Sequence, residues 1–306
     1  MRSMKLGSSR LEVPVIAVGC MRIKGLSGPE AERFVKGALE QGACFFDHAD
    51  VYGDGLCEEM FAEAVGMTPA VREKMILQSK CGIRRKIAFD FSRENILKSV
   101  DGSLRRLKTD YLDVLLLHRP DALVEPEEVA EALGRLHASG KVRHFGVSNQ
   151  APGMIRLLRK YVSQPFVANQ LQLSITNATM ISFDLTMNTA RPEAASRDGE
   201  VLNYCRLNDI TVQPWSPFQY GYFEGVFLDN PKFPGLNAKI TQLAGKYGVP
   251  GAAIVLAWLL RHPAGMQPVT GTMNPERLRD CLKAAEIVLT REEWYEIYLA
   301  AGNILP

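Results

Sequence analysis

Eight short apolar runs, each followed by a stretch of helical periodicity, limit this chain to very few folds. The runs are VPVIAVG (13–19), ACFFD (43–47), MILQSK (75–80), YLDVLLLH (111–118), VRHFGVS (142–148), FVANQ (166–170), ITVQPW (210–215) and MQPVTG (266–271). Between them lie PEAERFVKGALEQG, RENILKSVDGSLRRLK, PEEVAEALGRLHASG, PGMIRLLRKYV and PERLRDCLKAAE, several opening on Pro or an acidic first turn and some closing on Gly, which are helix start and stop signals. A strand followed by a helix, many times over, is the pattern of a parallel sheet with helical crossovers. Such a sheet is either open and doubly wound or closed into a (β/α)8 barrel. Eight units in 306 residues fit a barrel with insertions. The G-x-G-x-x-G turn that a doubly wound dinucleotide domain needs after its first strand does not follow VPVIAVG. The expected fold is therefore a (β/α)8 TIM barrel, with residues 1–306 forming one domain. Two linking segments, from about Thr176 to Arg197 and from Phe218 to Pro234, are long and rich in Asn, Gly and Pro, and read as extended βα loops at the C-terminal face.

Composition removes several classes of function. A formal net charge of +2, with the basic residues spread along the chain, gives no field suited to nucleic acid or an anionic membrane. The expected partner is a small molecule, with no protein partner. Cys20, Cys44, Cys57, Cys81, Cys205 and Cys281 form no C-x-x-C pair and no zinc-type spacing with the histidines, so they read as reduced, buried thiols of a cytoplasmic protein that holds no metal. The opening MRSMKLGSSRLEVPVIAVGC is interrupted by Glu12 and Pro14 and is followed by no small-residue cleavage site. No apolar run elsewhere approaches the roughly 18 residues of a membrane span.

In a barrel enzyme the chemistry sits at the C-terminal ends of the strands. Those ends carry Asp47, Lys80, His118, Ser148 with Asn149, Gln170, Trp215 with Ser216, and the run Thr270, Gly271 and Thr272. Four residues of the first half combine into interpretable chemistry. A tyrosine such as Tyr52 is a poor acid near neutral pH, and an adjacent ammonium favours its phenolate. Lys80 supplies that charge, and Asp47 is the counter-ion that keeps a buried lysine protonated. His118 then donates a hydrogen bond that orients a substrate oxygen. His48 is expected to point away from Asp47 and to pack behind the site. The C-terminal TREEWYEIYLAAG carries Trp294, Ile297 and Tyr298 at helical spacing behind a Thr-x-x-Glu cap, which reads as core packing.

The order and surroundings of these residues resemble those of the aldo-keto reductases. The resemblance runs through LGSSRLEVPVIAVGCMR, FFDHADVYG, SKCG, DYLDVLLLHRPD, GKVRHFGVSN, the NQ of FVANQ, WSP and PVTGTMNPERLRDCL, with the HAD-x-YG and LLLHRPD forms similar to those of bacterial members. It implies Tyr52 as general acid and base, tuned by Lys80 and Asp47, with His118 orienting a carbonyl. It also implies a nicotinamide cofactor whose carboxamide meets Ser148, Asn149 and Gln170 and whose ring stacks on Trp215. Ser216, Pro217, Phe218 and Gly221 match the loop along the pyrophosphate. Gly271, Thr272, Asn274 and Arg277 match the segment around the adenosine 2′-phosphate, where hydroxyl and guanidinium groups suit a phosphate. Gly19, Cys20 and Met21 fall where the first strand meets the cofactor. The chain departs from many relatives at Met273, where a basic residue is common, and at Cys281, where Asn is common. The implied activity is NADPH-dependent reduction of an aldehyde or ketone, with NADH as a weaker alternative cofactor. A different class, a cofactor-binding regulatory barrel similar to potassium-channel β-subunits, is the alternative, and the complete set Asp47, Tyr52, Lys80 and His118 favours the enzyme.

Overall fold

A computed structural model describes residues 1–306. Eight parallel strands close into a barrel. They are β1 (Ala17–Gly19), β2 (Phe45–Asp47), β3 (Ile76–Cys81), β4 (Leu112–Leu117), β5 (Val142–Ser148), β6 (Phe166–Gln172), β7 (Thr211–Trp215) and β8 (Val269–Thr270). Each pairs with the next in chain order, and β8 closes on β1 with Val269 opposite Ala17 and Thr270 opposite Val18. Every one of the eight apolar runs is a barrel strand. Helices cover the outside of the barrel, so a strand such as β4 is buried along its whole length and reads as a continuous apolar run.

The helices form where the sequence punctuates them. In Gly28–Glu40, Ser27 and Glu30 make a reciprocal cap, and Ala31, Phe34, Val35 and Ala38 are its buried stripe at the i, i+3, i+4, i+7 spacing. The C-terminal helix Arg291–Ala300 is capped in the same way by Thr290 and Glu293. Its Trp294 stacks on Trp258 at 4.8 Å, and each indole N–H donates to the other residue's backbone carbonyl. No single helix is long and apolar enough to cross a membrane; Pro234–Tyr247 and Gly251–Arg261 pass that test only as a pair bent by 92°.

Inside the barrel, side-chain parity builds two layers. An antiparallel hairpin, Ser3–Lys5 with Glu12–Pro14, brings Leu6 and Val13 into an apolar floor with Phe45, Val114, Leu116 and Val269. Gly146 belongs to this crowding, since a Cβ there would lie 2.6 Å from Leu116 and 2.7 Å from the Ala168 carbonyl. Above the floor lies a layer of buried glutamines. Gln267 donates to the Pro14 carbonyl, Gln213 to Gln267, and Gln78 to both Gln213 and Asp47. Buried amides are tolerated because each finds a partner, and the chain of them ends at the carboxylate of β2.

The linking segments carry more structure than their sequence announces. Residues 176–197 contain the helix Thr179–Leu185, because Met180, Ile181 and Phe183 are apolar enough to be buried. Residues 218–234 contain a hairpin of Gln219–Tyr220 with Gly225–Val226. A second hairpin, Ile83–Arg84 with Ala88–Phe89, follows β3.

Candidate active site

Asp47 ends β2 on the same side as Phe45 and therefore points into the barrel, and Lys80 reaches it from β3. Lys80 is fully buried. Its ammonium lies 2.8 Å from Asp47 Oδ2, 2.8 Å from the His48 carbonyl and 3.1 Å from Tyr52 Oη, so three acceptors meet its three protons. Asp47 Oδ1 receives amide protons from Gln78 at 2.6 Å and Gln170 at 3.0 Å. A buried ion pair is tolerable only with its remaining valences satisfied in this way. Burial pushes the Lys80 pKa down, but Asp47 and Tyr52 outweigh it and hold the ammonium above its ordinary range.

Tyr52 begins a short turn, Tyr52–Gly55, in which Gly53 and Asp54 both take left-handed backbone at φ 60° and 57°. The turn brings the phenol over the Lys80 ammonium while its ring faces the cleft. Because the ammonium donates to Oη, the phenolic proton is left for a group on the cleft side. Burial raises the Tyr52 pKa; Lys80 pulls it down and Asp47 pushes it up, and the net direction is upward. This corrects the expectation that the ammonium lowers the phenol's pKa: burial outweighs it. Lys80 limits the rise that burial causes, and the phenol keeps its proton. His118 follows β4, with its ring 5.9 Å from that of Tyr52 and nearly perpendicular to it. Burial, Lys80 and Arg119 hold its pKa well below the ordinary value, so the imidazole is neutral. Its Nδ1 is buried without a partner.

Across the barrel, the ends of β5, β6 and β7 form one connected polar edge. Trp215 Nε1 donates to Asn149 Oδ1 at 3.1 Å, Asn149 Nδ2 to Ser148 Oγ at 2.8 Å, and Ser148 Oγ to the Gln170 carbonyl at 3.0 Å. Asn149 and Ser216 both hold left-handed backbone, at φ 57° and 55°. Such conformations outside glycine gather at functional sites. The half-buried Trp215 ring stacks on Phe223 at 5.7 Å, a neighbour the sequence did not announce.

Beyond β8, Asn274 caps the helix Pro275–Leu282 by accepting from the Arg277 N–H, and Thr272 Oγ1 accepts from the Asn274 N–H. Arg277 is exposed at the cleft and makes no ion pair. Arg22 donates to the Gly271 carbonyl at 3.1 Å from the other side. Two guanidinium groups beside a helix N-terminus suit an anionic phosphate. Cys281 is mostly buried and meets Thr270 Oγ1, yet it still lines the cleft, so this departure from the family pattern falls at the same end as Arg277. At β1, a Cβ on Gly19 would stand 3.1 Å from Val269 and 3.4 Å from the Thr270 carbonyl, which leaves no side chain between these strand ends.

One cleft of about 1260 Å³ connects all of this. It exceeds the roughly 300–1,000 Å³ of a pocket for a single small ligand. Its wall holds Asp47, Tyr52 and His118 at one side, Ser148, Asn149, Gln170, Trp215, Ser216, Pro217 and Phe218 at another, and Gly19, Met21, Gly271, Thr272, Asn274 and Arg277 at the third. Three expected residues stand outside the wall. Lys80 is fully buried behind Tyr52 and touches its Oη. Cys20 turns its buried thiol to the Val18 carbonyl. Gly221 sits at a hairpin turn where its own carbonyl accepts from Gln172. The wall also includes Arg22, Phe89, Arg119, Tyr222 and Phe223. The LLLHRPD run was the one signal available for Arg119 and the VGCMR run the one for Arg22; Phe89, Tyr222 and Phe223 belong to hairpins too short to leave a periodic trace.

The Aldo/keto reductase family model matches residues 15–300. The oxidoreductase YcsN of Bacillus subtilis is 35% identical over 92% of this chain and 91% of its own length. A 6-dehydroglucose reductase of Agrobacterium fabrum is 33% identical over 97% of each. Among solved structures, a thermostable aldo-keto reductase bound to the inhibitor epalrestat superposes with a TM-score of 0.79, at 26% identity, over 98% of this chain and 100% of that one.

Proposed function

The chain belongs to the aldo/keto reductase family, and we propose that it is an NADPH-dependent oxidoreductase that reduces the carbonyl of an aldehyde or ketone to an alcohol. The observation that carries this reading is the buried chain Asp47, Lys80, Tyr52, which ends in a phenolic proton facing a cleft with room for a cofactor and a second molecule together.

When bound, NADPH would supply the hydride, which carries both electrons of the reduction. Trp215 offers its indole ring to the nicotinamide, and Ser148, Asn149 and Gln170 offer amide and hydroxyl groups to its carboxamide. Ser216, Pro217 and Phe218 line the path of the pyrophosphate. Thr272 and Arg277, at the opening of the helix Pro275–Leu282, are suited to the 2′-phosphate, which favours NADPH over NADH. These residues fit the cofactor because their polar groups converge on one cleft and the exposed Arg277 guanidinium is unpaired.

The protein's own part is to hold the carbonyl and move a proton. Neutral His118 donates a hydrogen bond to the carbonyl oxygen and directs it toward Tyr52. Tyr52 gives its Oη proton to that oxygen as negative charge develops there. Lys80 stabilises the phenolate that remains, and Asp47 keeps Lys80 charged. In the reverse direction the same phenolate accepts the alcohol proton. A reducing, cytoplasmic setting belongs to this reading, supported by six free cysteines.

Steady-state oxidation of NADPH in the presence of a panel of aldehydes and ketones tests the proposal, with NADH in parallel. Carbonyl-dependent consumption, faster with NADPH, is expected. Failure to bind either nucleotide would overturn it.

A further inference from the structure

The cleft contains one cation that the reduction just described does not use. Arg119 follows His118 at the end of β4, is half-buried and lines the cleft. It makes neither a hydrogen bond nor an ion pair with any residue of the protein, although a guanidinium carries five donors. The carboxylates nearest in sequence and on the cleft wall beside Tyr52 are already committed. Asp47 is held by Lys80. Asp121 accepts from the backbone N–H groups of Phe91 and Leu123, both at 2.8 Å. Asp54 of the Tyr52 turn pairs with Arg85, and Asp90 pairs with Arg84. Withdrawing a charge partly from water without giving it a partner is unfavourable, and here the vacant donors face the cleft.

Position separates Arg119 from the phosphate end. In the barrel order, β4 lies diametrically across from β8, where Arg277 and Arg22 serve the anionic part of a dinucleotide. Arg119 instead stands beside the carbonyl-binding pair, close enough to depress the His118 pKa. Its guanidinium carbon is 5.8 Å from the centre of the Trp215 ring, at the outer limit of a cation–π contact. Around it the walls are aromatic. Tyr222 packs edge-on against Trp215 and Phe223 stacks on it, and both remain largely exposed, as does Phe89 on the opposite hairpin. Exposed large rings at the mouth of a cleft mark a surface that a ligand covers.

We infer that the substrate is a carbonyl compound with an apolar or aromatic body and an anionic group, a carboxylate by preference, which Arg119 holds while the carbonyl meets Tyr52 and His118. The planar fork of a guanidinium matches a carboxylate with two parallel hydrogen bonds. Tyr222, Phe223 and Phe89 cover the body between the two polar ends. This inference rests on the reductase reading, and it is distinct from it, since a neutral aldehyde satisfies Tyr52 and His118 equally well.

Three matched probes test it with NADPH: 4-carboxybenzaldehyde, its neutral methyl ester, and 4-formylbenzenesulfonate. For the unmodified protein, kcat/KM for the carboxylate should exceed that for the ester by at least about tenfold, the scale of one charge-assisted hydrogen bond. The difference should lie in KM and shrink as ionic strength rises. In Arg119→Met the ratio should fall to within about twofold of one, and Arg119→Lys should restore part of it, because charge returns without the fork. A sulfonate used as well as the carboxylate supports an anionic substrate with a tetrahedral head group. Turnover of acid and ester at equal efficiency by the unmodified protein, or a preference that survives Arg119→Met, would overturn the inference and leave the reductase reading standing. No turnover of any probe, together with no nucleotide binding, would overturn the reductase reading and this inference with it.

Discussion

Replacing Lys80 by Met should move the titration of Tyr52 by an amount the geometry sets. Two unit charges interact with roughly 332/(εr) kcal/mol, and an effective dielectric of about 20 suits buried sites. With the ammonium 3.1 Å from Oη, phenolate gains about 5 kcal/mol from Lys80. Asp47 Oδ2 is 2.8 Å from the same nitrogen, so it stands no farther than about 6 Å from Oη and opposes the phenolate by at least about 3 kcal/mol. The pair together therefore favours phenolate by at most about 2 to 3 kcal/mol, or roughly two pKa units. Burial acts the other way and already raises the phenol. Lys80→Met removes the attraction and keeps the repulsion, so the tyrosine limb in the pH profile of alcohol oxidation should rise by about four units. Asp47→Asn with Lys80→Met removes both charges, and the limb should rise by no more than about two units. The assay is kcat for alcohol oxidation across the alkaline range in the three proteins. A limb that does not move, or one that moves farther in the double variant than in the single, would refute the reasoning.

Three further outcomes follow from particular contacts. Arg277→Ala should raise the Kd for NADPH by at least about tenfold and that for NADH by less than about threefold, because only the former carries a 2′-phosphate; quenching of the half-buried Trp215 reports both, and equal weakening would assign Arg277 to the fold. Burial depresses His48 to about 3, below its unfolded value, so the unfolded chain takes up the proton first, and the stability His48 gives when neutral is lost as pH falls from about 6.5 toward 3. Between pH 7 and 5 this amounts to about 2 kcal/mol, and His48→Leu should remove that part of the acid sensitivity in urea titrations; an identical pH dependence would contradict it. Glu58 is fully buried, pairs with Arg106 at 2.7 Å and accepts from Ser79 at 2.6 Å, so Glu58→Gln should cost about 3 kcal/mol by leaving Arg106 without its counter-ion, and a loss under about 1 kcal/mol would show the pair to be solvated.

The barrel was legible because its signals are repeated and long. Each strand is an apolar run bounded by turn residues, and helices such as Gly28–Glu40 carry both a cap and a buried stripe. The meeting of Asp47, Tyr52 and Lys80 was legible for a related reason: strand ends share one face, so residues far apart in sequence converge once the barrel is granted. His48 packs behind the site, edge-on to Phe61, as strand parity required. What did not show was conformation without period. The helix Thr179–Leu185 lies in a segment rich in Asn and Thr whose few apolar residues gave no stripe. The hairpins at residues 83–89 and 219–226 have strands of two residues each, too short for alternation. The direction of the Tyr52 shift depends on how deeply the ring is buried, which the identity of its neighbours alone could not give. The lack of any partner for Arg119 is a property of the folded cleft rather than of the run LLLHRPD.

The central claim is that Tyr52 delivers the proton in a nicotinamide-dependent carbonyl reduction. Tyr52→Phe keeps the ring that packs over Lys80 and removes only the hydroxyl, so folding and cofactor binding should persist. Single-turnover reduction by this variant, with the NADPH Kd measured on the same sample, is the most direct test. The account predicts a rate at least about 100-fold below that of the unmodified protein, with the Kd within about threefold. Near-normal turnover by Tyr52→Phe would contradict it.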